Sequence, residues 1–368
     1  MITRKLYTLL IVVLMLLVTQ GVRAQTECFI FGDVNQTIIK GLTEEGMAAI
    51  ELTIPGSVEL VKAGAFAYAS STLTDLTVDG GNPEFESDVL SAVKFSLKTI
   101  NVGNGMTATN IKTMLATLGA REALETVVIE GFVGTSDVVW DDMTNELTSA
   151  VHVILPATLV NYQEFGNAKV YGRFTINGEL ATTCVNASFV DVDDGSNFLF
   201  YIPISVEDEN RIKIQRVKYI QGRKGVMIHN TTGTAVNADL LLDDGTDSTR
   251  RKQDNETYQS NMLVGVTSPT TIGATDGNNT NLILYQGAFH PISGGTIPAN
   301  RAYLQIPTNV WDTMNVRQLT FNFDDLETGI DIVTEDINVT GIYDLTGRKV
   351  SIPRKGVYIR NGRKSFIK

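Results

Sequence analysis

The residues that could do chemistry are few and scattered. The chain holds three histidines, His152, His229 and His290, and two cysteines, Cys28 and Cys184. No HExxH and no CxxC involves them, so spacing gives no metal-ligand pair. "GTSDV" (134–138) lacks the second glycine of a nucleophile elbow, and no phosphate-cradling G-x-x-x-x-G-K-[ST] occurs. "DVDDGSN" (191–197) has the carboxylate density of a calcium loop. Its glycine falls at the fifth place and no glutamate follows at the twelfth, against the EF-hand order of glycine sixth and glutamate twelfth. The segment reads as a turn, with an ion at Asp191–Asp194 left open. Glycoside hydrolysis needs two carboxylates about 5–9 Å apart, a separation that sequence alone does not set. No catalytic residue, cofactor site or metal ligand is assigned, and the chain is read as non-enzymatic.

The bulk numbers say what must position any site. At 368 residues the expectation is two to three domains with a core that needs no disulfides. Hydrophobic residues make 43% and charged residues 19%, a globular balance. The net charge of −11 argues against nucleic acid as a partner, since phosphate binding needs a cationic face. Arg4 and Lys5 precede an apolar run from Leu6 to Val18, and Val22-Arg23-Ala24 follows. That is the order of a secretory signal peptide, residues 1–24, with cleavage expected after Ala24. The run is shorter than the roughly 20 apolar residues of a membrane span. The chain is therefore expected to be exported, extracellular or on the outer cell surface. Membrane association would come only through that leader or through surface attachment. An exported chain can bridge its cysteines, but Cys28 and Cys184 fall at opposite ends of the first domain and are expected as buried or free thiols.

One short segment recurs: "ELTIP" (51–55), "DLTVD" (75–79), "TINVG" (99–103), "TVVIE" (126–130), "HVILP" (152–156) and "RFTIN" (173–177). Their fourth residues are spaced 24, 24, 27, 26 and 21 apart. Each carries an apolar pair at its second and fourth places, from Leu52/Ile54 to Phe174/Ile176. Side chains alternate along a strand, so each pair shares a face. One such pair cannot sustain a fold, but stacked rungs make a continuous core. The intervening odd positions, Thr53, Thr77, Asn101, Val128, Ile154 and Thr175, would then form an outer face rimmed by Glu51, Asp75, Asp79 and Glu130. The same threonines can equally serve only to stabilise the sheet. The pattern also suits another parallel β-structure, or an α/β domain using short helices such as "ATNIKTMLATLG" (108–119).

"LTIPGSVELVKAGAFAYASSTLTDLTV" resembles the leucine-rich repeat of BspA-like surface proteins of Bacteroidetes. Leu52-Thr53-Ile54-Pro55, Ala65-Phe66 and Leu73-Thr74 carry the likeness, which fades along residues 45–182. The resemblance implies a solenoid over residues 25–183 with an N-terminal cap. Beyond it, residues 184–326 alternate in short strands between polar turns, which reads as an antiparallel β-sandwich. "VKYIQGRKGVMIHN" resembles a module of secreted Bacteroidetes proteins and implies no catalytic residues. After a linker (327–340), residues 341–368 carry eight Lys/Arg and one acid. Asn361-Gly362 marks a hairpin there, and the cations suit an exposed sheet that must not pair edge to edge. The tail resembles the C-terminal β-modules read by type IX secretion.

The expected fold is thus mainly β: a solenoid, a sandwich and a small C-terminal meander. The expected function is adhesion, with protein binding or glycan binding on the solenoid face and an extracellular protein or glycan as partner. The alternatives are a glycan-active enzyme or accessory, and a structural surface-layer component.

Overall fold

A five-residue strand buries too little to hold itself, so the rungs must find one another. The computed structural model describes residues 25–69, 71–119, 123–133, 147, 150–159, 167–191, 197–207, 210–243, 256–323, 342–343, 356–360 and 363–367. In it the strands Glu51–Pro55, Asp75–Asp79, Thr99–Val102, Thr126–Ile129, His152–Pro156 and Lys169–Ile176 lie side by side and parallel, as six successive rungs. Leu52 pairs with Leu76, Leu76 with Ile100, Ile100 with Val127, Val127 with Val153, and Val153 with Val170. Ile54, Val78, Val102 and Ile129 form a second column. Both columns are buried in one core, each side chain contributing about 1.5–3 kcal/mol gross of chain entropy.

The chain returns on the far side of that core. Ile38–Leu42, Leu60–Val61 and Glu84–Phe85 pair in parallel, closed antiparallel by Phe29–Phe31. Leu60 faces Glu84 at the same 24-residue offset as the rungs, and Lys62 pairs with Glu86 at 2.6 Å. Phe66 is fully buried and meets Phe29 edge-on, with centroids 6.5 Å apart. Further along, the helix Ala108–Ala116 takes over the return, and Thr107 caps it by accepting from the Asn110 N–H. Ile111, Met114 and Leu115 bury one face at helical spacing. Where each rung ends the turns crowd together. Gly81 has φ +67°, and a Cβ there would collide with the Gly56 carbonyl oxygen, so only glycine fits.

The sixth rung departs from the spacing. Val170 and Gly172, not Phe174 and Ile176, stand beside Val153 and Leu155. The eight-residue strand serves two cores. Its start joins the ladder, while Phe174 and Ile176 enter a second cluster with Phe189, Phe200 and Ile228. Phe174 meets Phe189 and Phe200 edge-on at 5.4 and 5.9 Å. Gly172 is required because the Phe189 ring fills the place of its Cβ. The ladder sheet then continues with Val236–Leu242, Phe189–Val190 and Tyr219–Ile220, all antiparallel, to nine strands in total. It therefore carries across residue 184.

A four-stranded antiparallel sheet follows, ordered Leu180–Thr183, Val226–Asn230, Phe198–Val206, Ile212–Val217. Another gathers Leu263–Val266, Arg301–Pro307 and Asn279–Tyr285, with Ala288–Pro291 hairpinned onto the last through Gln286-Gly287, both at positive φ. Thr270–Gly273 pairs with Gly294–Ile297 as a separate two-stranded sheet. Leu319 and Thr320 make isolated bridges to Phe289 and Arg211. The molecule is mainly β, in several sheets.

The first compact unit runs to Asn322 and a second begins at Phe323. The second contains a three-stranded antiparallel sheet of Ile342–Tyr343, Gly356–Arg360 and Arg363–Ile367, with Arg360 opposite Arg363. Residues 1–24, 134–138, 192–196, 246–255 and 327–340, and Asn361-Gly362, lie outside the described residues. The expected leader, linker and hairpin turn, and most of the acidic turn, therefore do too. Among the described residues no helix is long and apolar enough to cross a membrane.

Candidate functional site

The ladder's inner columns fix what its outer face presents. Because 52 and 54 point inward, 51, 53 and 55 point outward, and the parallel register repeats this at each rung. Thr53, Thr77, Asn101, Val128 and Ile154 form one outward column, each half-buried by its neighbours. Asn101 Nδ2 lies 3.5 Å from Thr77 Oγ1, at the limit of a hydrogen bond between rungs. Thr175 is not in that column; Tyr171 stands beside Ile154 instead. Glu51 is exposed and faces Asp75, whose carboxylate accepts from Thr74 Oγ1 at 2.6 Å. Asp79 and Glu130 are exposed at the other ends of their rungs.

A groove of about 330 Å³ opens on this face at the later rungs. Val128, Ile154 and Pro156 give it an apolar side, and Asn104 and Glu130 line it from the turns. Arg173, Thr175 and Asn237 complete it from the sixth rung and its antiparallel neighbour. Of the residues singled out from sequence, it unites Val128, Ile154, Glu130 and Thr175. Thr53, Thr77, Asn101, Glu51, Asp75 and Asp79 lie on earlier rungs and do not line it.

Arg173 organises the polar part. It faces Asp239 across the strand pair and donates from Nε and Nη2 to the two carboxylate oxygens, each at 2.8 Å. Such a two-pronged contact fixes the guanidinium plane. Hydrogen bonding to Asp239 holds the Arg173 pKa above its usual value, with further attraction from Asp239 and Glu130. Two residues on, Thr175 Oγ1 donates to Asn237 Oδ1 at 2.7 Å. That leaves Arg173 Nη1, Asn237 Nδ2 and the Glu130 carboxylate without hydrogen bonds to the described residues. A Cβ at Gly131 would collide with Asn104 Oδ1, so glycine there lets the amide lie against the rung.

A second groove of about 200 Å³ adjoins the first and shares Arg173 and Thr175. Thr158, Thr183 and Asn300 line its other side. Asn300 Oδ1 is buried with no hydrogen-bond partner among the described residues.

The candidate metal and thiol chemistry disperses. His152 is exposed and tilts against Tyr171 with centroids 5.0 Å apart. His229 Nε2 is 4.0 Å from Glu179 Oε1, and His290 meets Tyr285 edge-on. Among the described residues no three His, Cys, Asp or Glu side chains gather as metal ligands would. Cys28 and Cys184 form no disulfide. Burial pushes the Cys184 thiol up to about 11, far from a reactive thiolate.

Sequence reasoning missed Arg173, Asp239, Asn237 and Asn104. A signal existed for two of them: "VNADL" alternates Asn237 and Asp239 with Val236, Ala238 and Leu240, the pattern of a half-buried strand. Comparison with family models, with curated proteins and with solved structures finds no match.

Proposed function

We propose that the chain is an exported, non-catalytic binding protein of the BspA-like leucine-rich-repeat kind, which holds an extracellular partner on the outer face of its ladder. The observation that carries this reading is the groove at the fourth to sixth rungs. It is a concave, mixed polar and apolar surface on a sheet whose register is fixed by two buried columns. Rigid backing keeps the ordering cost of binding low. The solenoid reading draws support from the 24-residue offset repeated on both sides of the core. On this reading the sheets of residues 184–326 outside the ladder form a β-sandwich that buttresses it, and residues 341–368 retain or sort the chain at the surface.

The test is a screen of the chain against extracellular matrix proteins and glycan arrays, beside Thr175→Trp. Thr175 is exposed, and an indole there fills the groove without entering the core. Binding lost in the variant, with an unchanged circular dichroism spectrum, is the expected result. A ligand held equally by both rules the groove out. For the tail, cell fractionation of a chain lacking residues 341–368 should show loss of surface display, and unchanged display removes the sorting role.

A further inference from the structure

Resting on the binding reading above, the geometry points to a neutral, linear oligosaccharide as the ligand, laid through the two adjoining grooves across Arg173 and Thr175. Charge decides against the alternatives. An anion would meet Glu130, with Asp239 behind it, while Arg173, the only cation lining the first groove among the described residues, is already engaged by Asp239 on two nitrogens. Arg301 lines the second groove, where its Nη1 donates to the Thr182 carbonyl. A cation would meet Arg173 in both grooves and Arg301 in the second. Desolvating a charge against a like charge is costly. A sugar hydroxyl both donates and accepts, and the groove offers both. Arg173 Nη1 and Asn237 Nδ2 can donate, the Glu130 carboxylate can accept, and the Asn104 amide can do either. Val128, Ile154 and Pro156 provide the apolar patch that the C–H face of a pyranose covers. The volume of about 330 Å³ lies at the small end of ligand sites, and the adjoining 200 Å³ gives room for the chain to continue. There the exposed Thr158 supplies a hydroxyl, Thr183 Oγ1 already donates to the Asn300 carbonyl, and the unmet Asn300 side-chain acceptor lies in the wall.

The test is an array of neutral and charged oligosaccharides probed with the full chain, followed by calorimetry on Asn237→Ala, Glu130→Ala and Lys40→Ala, an exposed position in a different sheet. Neutral glycans should bind, more tightly from disaccharide to tetrasaccharide. Asn237→Ala and Glu130→Ala should each weaken binding about three- to tenfold, the worth of one hydrogen bond, and Lys40→Ala should match the parent. Glu130 is exposed, so its variant keeps the test valid if Asn237→Ala misfolds. Binding of charged glycans only, of no glycan, or of neutral glycans equally by all variants overturns the inference. If a protein ligand is meanwhile lost on Thr175→Trp, the binding reading survives and only the ligand class fails.

Discussion

Replacing Ile100 with alanine tests the stacked columns. Ile100 is fully buried and sits between Leu76 and Val127, so rungs on both sides hold its walls in place. Ile→Ala in a core costs about 2–5 kcal/mol, more where the site cannot collapse. Hydrogen-bonded strands on each side restrain collapse, which puts the expected loss near 3–4 kcal/mol. Thr77→Ala, one residue along on the neighbouring rung, is the control. It faces outward, is half-buried and loses only the 3.5 Å contact from Asn101, so it should cost under about 1 kcal/mol. Urea unfolding followed by far-ultraviolet circular dichroism measures both, as shifts in midpoint at constant slope. Equal shifts for the two variants would refute the inward and outward assignment, and with it the face on which the groove lies.

Three further outcomes follow from the same packing. Arg173→Ala should cost about 1–2 kcal/mol, below the roughly 3–5 of a fully buried pair because each side chain is 29% exposed. Adding Asp239→Ala should recover part of that loss, and a double-mutant cycle with no coupling would contradict the pair. Cys184 should resist maleimide at pH 8 in the native chain and react once unfolded, since burial keeps it protonated; native labelling contradicts its burial. Glu86 is held below the usual carboxylate range by the Ala63 N–H and the Lys62 ammonium. Partial desolvation pushes Asp33 up, but the N–H groups of Ile38, Thr37 and Asn35 and the Thr37 hydroxyl outweigh it and leave it lowered. Both therefore add stability above the unfolded carboxylate pKa of about 4, lost as pH falls through the lower folded values. Melting temperature should drop in acid less steeply for Asp33→Asn/Glu86→Gln than for the parent; identical slopes refute this.

The first five rungs were legible because their apolar pairs repeat with little else between them that alternates. The sixth was not. Val170, Gly172, Phe174 and Ile176 all lie on one face of one strand, and alternation cannot say which pair belongs to which core. What divides them is Phe189, a dozen or more residues downstream, whose ring displaces any side chain at Gly172. The groove was half legible for a similar reason. Val128, Ile154 and Glu130 follow from the repeat. Arg173 gains its meaning only from Asp239, which reaches it through an antiparallel pairing 66 residues away in sequence. Asn and Asp are poor strand formers, so "VNADLLL" hides among turns. The glycines that follow the first four rungs, Gly56, Gly80, Gly103 and Gly131, recur at nearly the same period and would have strengthened the ladder.

The most direct measurement is hydrogen–deuterium exchange on the chain with and without its best ligand from the screen. Added protection should concentrate in Thr126–Ile129, His152–Pro156, Lys169–Ile176 and Val236–Leu242, and vanish in Thr175→Trp. Protection confined to the sheets beyond residue 256, or retained in the variant, would contradict the ladder face as the binding surface.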